Sequence, residues 1–167
     1  MKKTIIAAIA ALTMTIGANA QKFGQVDVQA IMQSLPEVTK ANGELQAQAQ
    51  QYDNELKQMQ EEIQKKSEEY EKTKATMSAT QQQQTEADLQ ALYQKLQEAY
   101  QQNQQEMQKK QQELLEPIQK RVIAAIEAVG KSGQYTYITP VGSFLLYTGA
   151  DVKDVTADVK AELNKMK

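Results

Sequence analysis

From Val38 onward, apolar and small residues recur every seven positions through Leu45, Tyr52 and Met59, with a second column at Ala49, Leu56, Ile63, Tyr70 and Met77. A seven-residue repeat of this length commits the segment to a helix that buries one narrow stripe against another helix. A second run, through Leu89, Tyr93, Leu96, Tyr100, Met107 and Leu114 with Leu92 added at its start, supplies that partner. Ser78 to Gln84, between the runs, is polar and aperiodic. Two thin stripes joined by a short polar loop can bury only each other, so the spacing predicts a long antiparallel helical hairpin, a coiled-coil arm with its tip near 78–84. Each helix would be on the order of 60 Å long. The seam is imperfect, because Asn42, Lys66 and Thr73 on the first helix and Asn103 and Lys110 on the second fall where Leu would stabilise more.

Composition separates this arm from the rest of the chain. Residues 36–113 hold 21 of the 27 Gln but only seven Ile, Leu, Val or Phe, whereas residues 21–35 and 114–167 together hold 21 of those apolar residues. The expected division is therefore an arm at 36–113 and a body at 21–35 and 114–167, in a mainly α chain with a small β body. Ser34-Leu35-Pro36-Glu37 reads as a capping box that starts the long helix after a short helix at 29–33. Pro117 falls inside the returning helix, where the apolar phase shifts to Ile118, Val122, Ala125, Ile126 and Val129, and a kink is expected there. Candidate strands are Phe23–Val28, Tyr135–Thr139 and Ser143–Tyr147, the last two joined as a hairpin by Thr139-Pro140-Val141-Gly142. Asp154 caps a final helix with Val155, Val159 and Leu163 on one face. Three short strands leave open edges, which pairing between subunits would cover.

Several chemistries lack reagents. With no Cys and no His, disulfides, thiol nucleophiles, structural zinc and histidine acid/base catalysis are excluded. Ala125 to Ser132, A-I-E-A-V-G-K-S, is one residue short of a phosphate-binding loop and ends a helix instead of opening one, so Gly130 is read as the helix stop. Glu61-Glu62 and Glu68-Glu69 are adjacent carboxylates that point about 100° apart on a helix, with Lys65, Lys66 and Lys72 within a turn. They read as solvated helix charge. No cofactor, no metal and no enzymatic activity are expected. The 19 Lys and Arg stand against 21 Asp and Glu, and Arg121 is the sole arginine, so no nucleic-acid partner is implied. Lys2 and Lys3, the apolar run Thr4 to Ile16 and Ala18-Asn19-Ala20 form an export signal at 1–20 with cleavage after Ala20. The apolar run is shorter than a membrane span needs, so stable membrane insertion is not expected. The mature chain would start at Gln21 with a charge of −4, since Lys2 and Lys3 leave with the signal.

The segments outside the arm also carry a family resemblance. Phe23-Gly24-Gln25-Val26-Asp27-Val28 running into Ile31-Met32, Leu114-Leu115-Glu116-Pro117-Ile118, Gly133-Gln134-Tyr135, Leu145-Leu146-Tyr147 and Asp151-Val152-Lys153-Asp154-Val155-Thr156, together with the exported start and the Gln- and Lys-rich hairpin, resemble the Skp/OmpH family of periplasmic chaperones. The resemblance implies a homotrimer whose strands form a small β-barrel body and whose hairpins surround a cavity holding unfolded outer-membrane proteins without ATP. On that reading Met59, Met77 and Met107 are client contacts, as flexible thioethers suit varied apolar surfaces. Tyr52, Tyr70, Tyr93 and Tyr100 are either client-facing or seam residues. Phe23, Val26, Val28, Tyr137, Ile138, Leu145 and Leu146 would serve oligomerisation. This chain departs from basic members of the family, with a pI near 5.3 and a tip reading Thr80-Gln81-Gln82-Gln83-Gln84, so lipopolysaccharide binding and charge-driven capture are not carried over. The competing function is that of a structural coiled-coil envelope spacer or adaptor.

Overall fold

Residues 21–142 and 145–166 are described by a computed structural model, in which the chain divides into two units: Gln29–Val122, and the segments up to Val28 and from Ile123 onward. The element order is β1 (Phe23–Val26), α1 (Val28–Ser34), α2 (Pro36–Thr73), a short 3-10 turn (Lys74–Thr76), α3 (Ala79–Ser132), β2 (Tyr137–Pro140), β3 (Lys153–Asp154) and α4 (Thr156–Lys165). The protein is thus mainly helical with a small three-stranded sheet.

The unit 29–122 is built on α2 and α3. As α2 is followed from Glu37 to Tyr52 to Tyr70, the hydrogen-bonded partner on α3 falls from Arg121 to Glu106 to Glu86. That is antiparallel pairing, with the register offset by two residues between the Tyr52 and Tyr70 levels. The expected seam residues on α2 are covered: Leu56, Ile63 and Tyr70 are buried, while Val38, Leu45, Ala49, Tyr52, Met59 and Met77 are half-buried. Asn42 and Lys66, expected on the seam, are exposed instead, and Ala41 and Ser67 take the covered positions. The cause is that a helix of about 3.6 residues per turn drifts against a strict seven-residue count. The same drift acts on α3, where Leu89, Leu92, Leu96, Ala99, Asn103, Met107 and Lys110 are half-buried and Tyr93 and Tyr100 lie on the flank, each more than half exposed.

Two boundary signals behave differently from expectation. At residues 34–37 no capping box forms: the N-cap is Leu35 without a side-chain bond, Ser34 Oγ donates backward to the Ile31 carbonyl at 2.7 Å, and Glu37 pairs with Arg121. At the tip the break lies at 74–78, and Gln81–Gln84 are helical. Ser78 and Gln81 form the reciprocal box there, Ser78 N–H donating to Gln81 Oε1 at 3.0 Å and Gln81 N–H donating to Ser78 Oγ at 3.3 Å. Gln82 Nε2 donates to the Met77 carbonyl and to the Lys74 carbonyl, which also accepts the Met77 N–H, and so ties the start of α3 to the turn. α3 runs through Pro117, whose missing N–H removes the bond that the Glu113 carbonyl would accept.

In the other unit, β1 is the central strand, and both neighbours run parallel to it, in the order β2-β1-β3. Phe23 faces Tyr137, with ring centroids 4.6 Å apart, and Gln25 faces Thr139 on one side and Asp154 on the other. The expected 139–142 hairpin is therefore corrected. The third strand is Lys153–Asp154; Leu145 to Tyr147 are not in a strand, and Ser143 and Phe144 lie outside the described residues. Strands on opposite edges of β1 cannot pair with each other, and parallel partners need long connections in place of a tight turn. β1 ends at Val26 because the next N–H, of Asp27, donates to Thr156 Oγ1 at 2.9 Å, while Thr156 in turn donates to Asp154 Oδ1. The Thr156 hydroxyl and its backbone N–H, both donating to Asp154 Oδ1, hold that carboxyl below its usual range. Val26, Ala125, Val129, Val155, Val159 and Leu163 form the core of this unit.

The end of α3 also shifts from the expected stop. Gly130 is helical, and the chain turns at Gln134, whose φ of 54° is left-handed. Tyr135 N–H donates to the Gly130 carbonyl and Gln134 N–H to Lys131, the paired bonds of a Schellman ending. Gly133 is required beside it, since a Cβ there would lie 2.4 Å from the Tyr135 ring.

Candidate functional site

The seam of the hairpin is not filled evenly. Where the α2 column carries Ala49 between larger residues, a cleft of about 450 Å³ opens between the helices, lined by Ala49, Tyr52, Leu56, Tyr100, Asn103 and Met107, with Asp53, Gln104 and Gln108 completing its rim. Its floor is apolar and its rim carries neutral amides and one carboxylate. Asn103 Nδ2 is buried at this level without a hydrogen-bond partner.

Polar ties hold the helices on either side of the apolar stretch. Tyr52 donates to Glu106 Oε2, and Gln102 Nε2 donates to the other oxygen at 2.9 Å. These two donors hold the Glu106 carboxyl below its usual range, and the Tyr52 hydroxyl is raised chiefly by the same bond. Nearer the tip, Tyr70 donates to Glu86, while Lys74 Nζ lies 3.9 Å from that carboxylate and 5.1 Å from the Tyr70 ring centroid. The hydrogen bond to Glu86, then burial, pushes the Tyr70 hydroxyl up to about 12. At the opposite end Arg121 Nη2 reaches Glu37 at 2.7 Å. The carboxylate pairs of α2 make local partners: Glu61 with Lys57, Glu62 with Lys66 and Glu68 with Gln64.

The structure brings some candidate contacts together and separates others. Tyr100 and Met107 line one cleft, and Tyr93 lies exposed about two turns along the same helix. Met59 and Met77 are half-buried on α2, and Tyr70 is 5% exposed with its hydroxyl engaged. In the sheet unit Val26 is buried, Phe23, Val28 and Ile138 are half-buried, and Tyr137, Leu145 and Leu146 are exposed, Leu146 completely.

A family model described as outer membrane protein (OmpH-like) matches residues 22–163, almost all of the chain after the N-terminal signal pattern. The chain belongs to the OmpH-like family. A crystal structure from Caulobacter crescentus CB15, described as that of an outer membrane chaperone (OmpH-like), resembles this OmpH-like chain in fold, with a TM-score of 0.74 and 19% identity over 90% of this chain and 88% of that one. No curated protein matches it. In this OmpH-like chain, sequence periodicity alone did not mark the cleft as a site. The available signal was Ala49, a small residue in a column otherwise made of Leu56, Ile63, Tyr70 and Met77.

Proposed function

We propose that the chain, exported and cleaved after Ala20, is an ATP-independent periplasmic holdase that binds unfolded outer-membrane proteins and keeps them from aggregating. The observation that carries this reading is the OmpH-like family match across residues 22–163. The arm, residues 36–113, supplies the holding surface: Tyr93, Tyr100 and Met107, with the half-buried Met59 and Met77, offer apolar contacts on a hairpin whose remaining face mixes glutamine with charges of both signs. Tyr70 serves the hairpin itself. The body, residues 21–35 and 114–167, forms a homotrimer through its strands, a reading supported by the two edge strands and by the exposed Tyr137, Val141, Leu145, Leu146 and Tyr147. Weak contacts repeated on three arms gain strength through effective concentration, and no covalent step is required.

The test is suppression of aggregation when an unfolded outer-membrane protein is diluted from denaturant into the mature protein. Holding is expected at a threefold excess of chains over client and with little dependence on salt, given the mature charge of −4. Replacing Met59, Met77 and Met107 by Ser should weaken holding while sedimentation still finds the trimer. A wild-type protein that leaves aggregation unchanged, with or without salt, would overturn the holdase reading in favour of a spacer between fixed partners.

A further inference from the structure

We propose that the cleft between α2 and α3 beside Ala49 seats an aromatic side chain of an unfolded polypeptide, an assignment that rests on the holding function above and gives it a local address. The cavity exists because Ala49 withdraws the bulk that Leu56 and Ile63 supply elsewhere in the column, and its volume of about 450 Å³ lies within the range of about 300–1,000 Å³ found for small-ligand sites. Its apolar walls select the occupant. The half-exposed Tyr100 ring offers a face or edge to a second ring, and the Met107 thioether favours ring contacts over aliphatic ones while adapting to different ring sizes. Leu56 and Ala49 close the floor.

The rim disfavours acidic side chains. Asn103, Gln104 and Gln108 are neutral, and Asp53 contributes the one charge, so an acidic side chain would be repelled and nothing would neutralise it. The cleft faces solvent, which lets a side group of an extended chain enter while α2 and α3 stay paired. Asn103 Nδ2 adds a donor without an acceptor. Turned toward the cleft, that amide meets a phenol oxygen or a main-chain carbonyl arriving with the ring, which removes the cost of leaving it unpaired. Tyr52 does not compete, because its hydroxyl is committed to Glu106.

The absence of Trp from the chain makes the test direct, since tryptophan emission reports only on an added peptide. The probe is a short Gly-Ser peptide carrying a single Trp, titrated with the full mature protein to about 1 mM, the range expected when one ring is buried. Saturable binding with a blue-shifted emission is expected, and the same peptide with Leu in place of Trp should compete at least about fivefold less well. Ala49→Leu fills the cleft and extends the seam, so it should weaken peptide binding by about tenfold while raising the melting temperature of the helices. A purely structural role for this level of the hairpin predicts the opposite pairing, with higher stability and unchanged binding, and that result overturns the proposal. If Ala49→Leu lowers the melting temperature, Tyr100→Ser, at a half-exposed position, takes its place with the same expected loss of binding. Equal competition by the Leu peptide, or no binding by the wild type, also overturns it. So does self-association that Ala49→Leu abolishes, which would assign the cleft to a second copy of the chain. Peptide binding without protection of an unfolded outer-membrane protein would leave the cleft assignment standing and overturn the holding function.

Discussion

Two short motifs of the same form have opposite outcomes, and their neighbours decide which. Ser78-Ala79-Thr80-Gln81 closes as a reciprocal box because nothing else competes for either side chain at the tip. Ser34-Leu35-Pro36-Glu37 stays open because Ser34 still belongs to α1 and turns its hydroxyl back to Ile31, while Glu37 reaches across to Arg121. Ser78→Ala should therefore cost about 1 kcal/mol and accelerate amide exchange across 74–85, whereas Ser34→Ala should be close to neutral in thermal melts. Tyr70 gives a second prediction at this scale. Its hydroxyl donates to Glu86 only while protonated, and its folded value is raised to about 12 from an ordinary value near 10. The contribution is thus complete below about pH 10 and is lost as pH rises through about 12. Ultraviolet titration of the tyrosines should show Tyr52 and Tyr70 delayed, Tyr70 the later of the two, and the accompanying loss of helix signal near the tip should be absent from Tyr70→Phe.

At the level of elements, the seven-residue spacing carried the hairpin, since helix geometry is a local matter that periodicity reports directly. Its drift was harder to see, and so Asn42 and Lys66 turned outward while Tyr93 and Tyr100 came to flank the seam. The strands were less legible. Lys153–Asp154 has neither alternation nor β-branched residues, and it becomes a strand because Gln25 of β1 has a free edge and the Val155 N–H donates to the Gln25 carbonyl. Leu145-Leu146-Tyr147 has the composition of a strand but no ladder within its own chain. The cleft was legible only as a deficit, an alanine in a column of large residues, and a deficit becomes a cavity only when the opposite helix is in place.

For the whole molecule, the proposed function divides the exposed apolar residues between assembly, in the body, and holding, on the arm. If the body alone drives the trimer, removing residues 45–107 and closing the hairpin with a short loop should leave the trimer intact by sedimentation and abolish protection of clients. A monomer after that deletion would move assembly to the arms. The intact arms also face a problem of their own, because a stripe of short apolar residues among glutamines could settle with its helices displaced by seven residues and lose little burial. The tyrosine ties remove that degeneracy. One heptad in one direction sets Tyr52 against Glu113 but Tyr70 against Tyr93, and one heptad in the other sets both hydroxyls against alanines, Ala99 and Ala79. Two teeth cut at unequal depths make a key that turns in a single lock, so every arm of an assembly would reach to the same height.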